Sequence, residues 1–385
     1  MKNKIWKILS YVLVAVVASV TTLLCFVIDQ QKNRTKLDEL GMVVDNYFIG
    51  EYDQAKLDDA AASAIVEALG DRWSFYMTAE EYIAYQDTMS NSYVGVGITV
   101  QIRQDGQGID ILEVLSGSPA EKAGLKPGDR IIAVDDTSLT DGNAQEGSEL
   151  IRGEEGTTVS LTVVRGEEQK TFTVERKRFQ SIVATGEMLG NNIGLVTIEN
   201  FDARCAEETI AAIESLKNQG ATSLIFDVRN NPGGYKDELV EVLDYLLPEG
   251  EIFRTEDYRG EVETEQSDAA CLDMPMAVLV NLNSYSAAEF FAAALDDYDA
   301  AVVVGEKTYG KGYFQTAIPL SDGSAVNLSI GKYFTPKGQS LAGVGLTPEV
   351  EVIVDEETAA SIYYGLLEPD EDPQIQAAVD ALLAG

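Results

Sequence analysis

The stretch MAVLVNLNSYSAAEFFAAAL, residues 276–295, decides the fold. It opens with an apolar run rich in Val and Leu, long enough for a buried strand and too short for a helix. A polar turn follows, and then an Ala- and Phe-rich segment that predicts a helix over 287–296. The same alternation extends outward in both directions. Before it stand NIGLVTI, a predicted helix over 206–219, SLIFDV and a predicted helix over 236–247; after it stands AVVVGE. Apolar strands alternating with amphipathic helices need cover on both faces, so residues 179–355 read as an α/β sheet domain.

Towards the N-terminus the pattern changes to short strands and turns over 91–178. VGVGITVQI and DILEVL are strand candidates. A short helix is expected after Pro119, a strand at 130–134, a helix at 144–151, and then the paired strands TTVSLTVVR and QKTFTVER. Residues 35–90 read as helices. Leu57, Ala61, Ile65 and Leu69 recur four apart, and Thr78 is placed to cap a helix over 79–88. Residues 356–385 read as a further helical, polar segment. A homodimer, if formed, is expected to use these two helical segments.

Composition narrows the chemistry. The 385 residues include 28 Lys and Arg against 64 Asp and Glu, a net charge of −36. So acidic a chain repels polyphosphate, and nucleic acid is not an expected partner. There is no histidine, which removes every Ser-His-Asp or Cys-His arrangement and every His-ligated metal. A hydrolase built from this chain must take its base from Lys, Asp or Glu. Cys25, Cys205 and Cys271 contain no CxxC spacing, and free thiols are expected rather than a Cys205–Cys271 pair. Neither cofactor nor metal is expected.

Residues 8–28 carry no charge, enough length to cross a bilayer as a helix, and Lys2, Lys4 and Lys7 precede them. The positive-inside rule then puts residues 1–34 down as a cytoplasmic tip and transmembrane anchor, with the rest extracytoplasmic. A cleaved signal peptide is the rival reading.

Ser286 would sit where the helix over 287–296 begins. The amide of Ala287 there is an orphan donor, and the helix dipole favours negative charge. Read alone, Ser286 with Glu289 is equally a capping box. The segment Lys307-Thr308-Tyr309-Gly310-Lys311-Gly312-Tyr313-Phe314-Gln315 adds a second feature. A lysine packed against apolar residues loses hydration and its pKa falls, so Lys311 could serve as base for a serine. In a regular strand Lys311, Tyr313 and Gln315 point the same way, which would let the Gln315 amide hold the amine. The other reading is a snorkelling lysine in a Gly-rich turn. A third feature is Asn231-Pro232-Gly233-Gly234, a turn at the end of SLIFDV that exposes backbone amides.

Together these segments resemble the carboxyl-terminal processing proteases, also called tail-specific proteases. The match runs through GDRWSFYMTAEEY (70–82), YVGVGITV (93–100), SPAEKAGLKPGDRIIAVD (118–135), IRGEEGTTVSLTV (151–163), DVRNNPGG (227–234), SYSAAEFFAAAL (284–295), VVGEKTYGKGYFQ (303–315), YFTPKGQSL (333–341) and GLTPEVEV (345–352). The resemblance implies Ser286 as nucleophile, Lys311 as general base and Gln315 as the group orienting it, with Ala287, Gly233 and Gly234 as oxyanion donors. Two departures stand out: Tyr285 and Ala288 around the nucleophile, and Arg72 where the family usually has proline. Asp297, on the same helix as Ser286, reads as structural.

The unit over 91–178 resembles a PDZ domain. Val94, Gly95, Val96 and Gly97 would form its carboxylate-binding loop, and a peptide would add as a strand beginning at Ile98. Arg152 is similar to arginines that link the PDZ domain to the active site in the family; a plain surface arginine is the other reading. The expected fold is multidomain α/β and α+β: 1–34 anchor, 35–90 helical arm, 91–178 PDZ domain, 179–355 Ser-Lys protease core, 356–385 helical segment. The expected activity is a membrane-anchored serine endopeptidase that selects extracytoplasmic proteins by their C-terminal tails. The alternative is a non-catalytic, membrane-tethered PDZ scaffold.

Overall fold

The computed structural model describes Trp6, Tyr11 and residues 13–22, 35–103, 105–140 and 144–384. Of the apolar run expected to span a membrane, Tyr11 and residues 13–22 are described and are helical; the rest of the run lies outside the described residues. Among the described residues no helix is long and apolar enough to cross a membrane. The chain divides into Met1–Ala64 and Ile65–Gly385. The first holds α1 (Lys36–Tyr47) and most of α2 (Gln54–Glu67). Thr35 starts α1 by a capping box: its amide donates to Asp38 at 2.7 Å and its hydroxyl accepts the Asp38 amide at 3.2 Å.

The second part begins with β1 (Phe75–Met77), α3 (Ala79–Met89) and β2 (Ser92–Gly95). As the sequence predicts, Thr78 opens α3, accepting the Glu81 amide at 3.3 Å. A β-rich domain follows: β3 (Ile98–Ile102), β4 (Ile109–Val114), α4 (Pro119–Ala123), β5 (Arg130–Val134), β6 (Thr137–Ser138), α5 (Ala144–Ile151), β7 (Thr158–Arg165) and β8 (Glu168–Glu175). Its sheet order is β3-β4-β5-β7-β8, closed over Ile109, Ile111, Ile131, Leu139, Leu161 and Val163. The chain leaves on β9 (Lys177–Gln180), which pairs antiparallel with β2. Entry and exit therefore lie side by side, which lets the domain stand as an insertion without disturbing what surrounds it.

The remainder runs β10 (Ala184–Met188), β11 (Ile193–Ile198), α6 (Cys205–Gln219), β12 (Ser223–Asp227), α7 (Lys236–Leu246), β13 (Gly250–Asp257), β14 (Val262–Ser267), β15 (Met276–Val280), α8 (Ala287–Asp297), β16 (Ala301–Gly305), β17 (Tyr313–Pro319), β18 (Ala325–Phe334), β19 (Val350–Glu351), α9 (Glu356–Tyr363) and α10 (Pro373–Ala384). Six strands form one sheet in the order β10-β11-β12-β15-β16-β19. All its pairings from β11 onward are parallel, as the apolar runs imply. Helices α6, α7 and α8 bury one face. Ile375 and Ala378 of α10 cover the other, against Ile193, Leu195, Ile225, Ala277, Leu279 and Val304.

The packing runs across the boundaries expected from sequence. Within the helical segment 356–385, α10 supplies the second helical layer of the core. Residues 75–77, placed by sequence in a helical arm, form β1, which pairs with β18. That pairing belongs to a second, antiparallel sheet, β1-β18-β13-β14 with β17 also on β18, which the alternation of strands and helices gave no sign of. Cys205 is a buried free thiol and Cys271 an exposed one.

Candidate active site

The site lies at the carboxyl ends of β12 and β15, where side chains fasten two loops together. Ser284 is fully buried; its hydroxyl donates to the Val228 carbonyl at 2.7 Å and accepts the Asn281 amide at 3.0 Å. Asn281 in turn accepts the Asn230 amide at 3.0 Å. Ser284 is thus committed to the frame, and of the two nearby serines only Ser286 stands at the helix start.

Ser286 has φ 59° and ψ −126° and precedes α8. A non-glycine residue held there stores on the order of 1–3 kcal/mol of backbone strain. Gly233, at φ 90°, makes the conformation possible from below. A Cβ at Gly233 would fall 2.7 Å from Ser286 Cβ and 2.8 Å from the Ala287 nitrogen. Among the described residues the Ala287 amide donates to no backbone or side-chain acceptor, as the first amide of a helix does. The Gly233 amide is otherwise engaged: it donates to Asn231 Oδ1 at 2.8 Å. Gly234 lies against Phe201, so close that a Cβ would stand 2.2 Å from the Phe201 carbonyl carbon.

Glu289 organises the site, and its full role was hidden from sequence behind the capping box. Its fully buried carboxylate accepts four bonds: from the Ser286 amide at 3.1 Å, Thr308 Oγ1 at 2.5 Å, the Gly310 amide at 2.6 Å and the Lys311 amide at 2.8 Å. Burial pushes its pKa up and these four donors oppose the rise. One carboxylate therefore joins the start of α8 to the loop carrying Lys311.

Burial lowers the Lys311 amine to about 8, against opposing attraction from Glu289 and Asp71. Its Nζ lies 4.4 Å from the centroid of Trp73 and 5.8 Å from that of Tyr285. Among the described residues no hydrogen bond joins it to Ser286 Oγ. Gln315 does not reach it either: Nε2 donates to the Tyr313 carbonyl at 3.1 Å and to Ser329 Oγ at 3.0 Å. The β17–β18 register shifts between Phe314 and Gln315, so the strict alternation assumed for Lys311, Tyr313 and Gln315 fails at that bulge. The buried Tyr333, whose pKa burial raises, interacts through its hydroxyl with the Ser286 side chain; it opens the stretch YFTPKGQSL, but the sequence reading gave it no role. Asp297, at the far end of α8, accepts the Lys337 amide at 2.7 Å.

In the inserted domain Val94 and Gly95 lie in β2, Val96 and Gly97 are buried, and Ile98 opens the edge strand β3. Ala120 donates to the Val96 carbonyl at 3.0 Å and Leu115 to the Gly97 carbonyl at 3.1 Å, which fixes the loop. Among the described residues the edge of β3 away from β4 has no strand partner. Arg152 is exposed and helps line a cleft of about 520 Å³ with Tyr93, Ile182, Glu199 and Asn200.

Residues 192–352 match peptidase family S41, and residues 111–165 match the PDZ domain family. The chain is 34% identical over 364 residues to the carboxy-terminal processing protease CtpA of Bacillus subtilis, covering 91% of this chain and 78% of that protein. It is 33% identical over 328 residues to a probable CtpA-like serine protease of Staphylococcus epidermidis, covering 84% of this chain and 66% of that relative's length. Among solved structures it is similar to a photosystem II D1 C-terminal processing protease, with a TM-score of 0.51, 26% identity, and 89% and 93% of the two chains covered. A putative S41 protease from Bacteroides fragilis shares the fold, with a TM-score of 0.53 at 17% identity.

Proposed function

The chain belongs to peptidase family S41, and from that premise we propose that it is a serine endopeptidase acting on proteins selected by their C-terminal tails. One observation carries this reading: a single buried carboxylate, Glu289, holds the backbones of both Ser286 and Lys311. A cap alone has no need of the second bond.

In the proposed reaction the neutral Lys311 amine takes the proton from Ser286 Oγ as that oxygen bonds the substrate carbonyl carbon. The charge that develops on the carbonyl oxygen meets the Ala287 amide and the dipole of α8. The Gly233–Gly234 turn supplies a second donor once the Gly233 amide leaves Asn231. Collapse breaks the C–N bond, and the leaving amine takes the proton from Lys311. Water then attacks the ester, giving its proton back through Lys311, and releases the acid. No metal is used in this scheme.

Gln315 is proposed to orient the amine after exchanging Ser329 for Lys311. The loop 94–97 and the β3 edge are proposed to receive the substrate's terminal carboxylate and add its tail as a strand, with Arg152 relaying occupancy to the core. The uncharged run 8–28 behind Lys2, Lys4 and Lys7 supports attachment to the membrane with the catalytic part outside. The test incubates the full-length chain, beside Ser286→Ala and Lys311→Ala, with an unfolded protein bearing an apolar C-terminus. Cleavage by the unaltered chain alone is expected; equal cleavage by all three would end this reading.

A further inference from the structure

Lys311 and Gln315 are both engaged by one short turn far away in sequence. The turn is 71–74, held in the antiparallel sheet by β1 and by Asn327, whose Nδ2 donates to the Trp73 carbonyl at 3.1 Å. Trp73 packs with Tyr309 at 5.6 Å and Tyr285 at 6.1 Å between centroids, and those two tyrosines with each other at 5.6 Å. The Lys311 amine sits on the Trp73 ring. Asp71 works on the other partner. Ser74 Oγ donates to Asp71 at 2.6 Å and accepts the Ser329 amide at 3.0 Å, and the hydroxyl of that same Ser329 accepts the Gln315 amide at 3.0 Å.

We propose that the 71–74 turn is an autoinhibitory catch, in which the Trp73 ring seats the Lys311 ammonium away from Ser286 while Asp71, through Ser74 and Ser329, keeps Gln315 turned from Lys311. The inference rests on Lys311 being the base of the proposed reaction. The physical reason is competition between protonation states. An aromatic face attracts the ammonium and not the neutral amine, whereas the bond to Ser286 Oγ needs the neutral amine as acceptor. Every unit of stabilisation the ring gives the cation is withdrawn from the working base. The charged and titratable groups around the amine are Glu289 from α8, Asp71 and Arg72 from the turn, and Tyr285 and Tyr309 from the two loops. Arg72 lies with its guanidinium 4.9 Å from the Trp73 centroid and 5.1 Å from that of Tyr309. It shares the aromatic surface with Lys311 and keeps the cluster in place.

The test weakens the ring without changing its shape. Trp6 and Trp73 are the chain's two tryptophans; with Trp6→Phe in the full-length chain, fluorinated tryptophans carrying increasing numbers of fluorine atoms replace Trp73 alone. Two readouts are taken across pH: reactivity of the Lys311 amine towards an acylating reagent, followed by mass spectrometry, and labelling of Ser286 by an uncharged phosphonofluoridate. Trp73→Leu ends the series, and thermal melting checks that each protein is folded. A ring that holds the cation raises the amine's pKa, so successive fluorines should move the Lys311 midpoint to lower pH and raise Ser286 labelling several-fold. Midpoints and rates that stay constant through the series overturn the catch. So does labelling that falls as the ring weakens, since Trp73 would then be aligning the base. A falling midpoint with Ser286 unlabelled in every protein upholds the seat and overturns the peptidase reading instead.

Discussion

Oε2 of Glu289 accepts the backbone amide of Lys311 at 2.8 Å, and the same oxygen accepts the amide of Ser286 at 3.1 Å. The start of α8 and the loop carrying Lys311 thus hang on one atom. Glu289→Gln would turn an NH2 group towards one pair of these donors, leaving buried amides unpaired. The cost is about 2–4 kcal/mol of stability, and peptide cleavage is expected to fall by on the order of a hundredfold or more as Ser286 and Lys311 lose register. Urea unfolding and cleavage assays on the same protein measure both.

The amine of Lys311, lowered by burial to about 8, sets the direction of the pH profile. Below that value the amine is protonated, so if Lys311 serves as proposed kcat/KM should rise about tenfold per pH unit and level off above it. Asp71 and Glu289 favour the ammonium. Removing the Asp71 charge by Asp71→Asn therefore lowers the amine's pKa further and moves the rising limb to lower pH. A limb that stays in place would mean that the charge of Asp71 does not reach the amine.

The parallel sheet was legible because β11, β12, β15 and β16 are each apolar nearly throughout, and a strand covered on both faces leaves that mark. The start of α3 was legible because Thr78 and Glu81 satisfy each other locally. What escaped was non-local. Residues 75–77 are too few to show a period, and their partner strand lies hundreds of residues on, so neither β1 nor the place of Trp73 beside Lys311 could be read. Gln315 bonds Ser329 here rather than Lys311, beside a bulge that leaves no trace in composition. Glu289 announced only its local bond; Thr308, Gly310 and Lys311 come to it through the fold. For α10, interleaved Gln and Asp masked the short apolar face that Ile375 and Ala378 present to the sheet.

Gly233→Ala probes the floor beneath Ser286. The new Cβ would sit 2.7 Å from Ser286 Cβ at a backbone φ of 90°. Both the clash and the left-handed conformation act against it, costing about 1–3 kcal/mol each. The relief available is movement of Ser286 and Ala287. Labelling of Ser286 by a phosphonofluoridate should therefore drop by more than the thermal midpoint suggests, and a variant labelled at the unaltered rate would separate Gly233 from the oxyanion site.

Asp372→Ala tests whether α10 is part of the core. Asp372 is buried beside Arg229, whose Nη1 donates to it at 2.8 Å, and its other oxygen accepts the amides of Gln374 at 2.9 Å and Ile375 at 3.2 Å at the start of α10. The substitution removes a helix cap and one of two carboxylate partners of a buried guanidinium. Asp227 remains, with its Oδ2 bonded to Nη2 at 2.6 Å, so Arg229 is not left alone and the loss should lie near 3 kcal/mol rather than at the upper end for a broken buried pair. Nothing in this contact touches Ser286, Lys311 or Glu289. The expectation is a lower thermal midpoint, faster proteolytic release of the C-terminal residues, and unchanged kcat/KM at low temperature. If the helix were instead an appendage, cutting its anchor would leave the melting of the rest unaltered, because Ile193, Leu195 and Ile225 would then have no need of its cover.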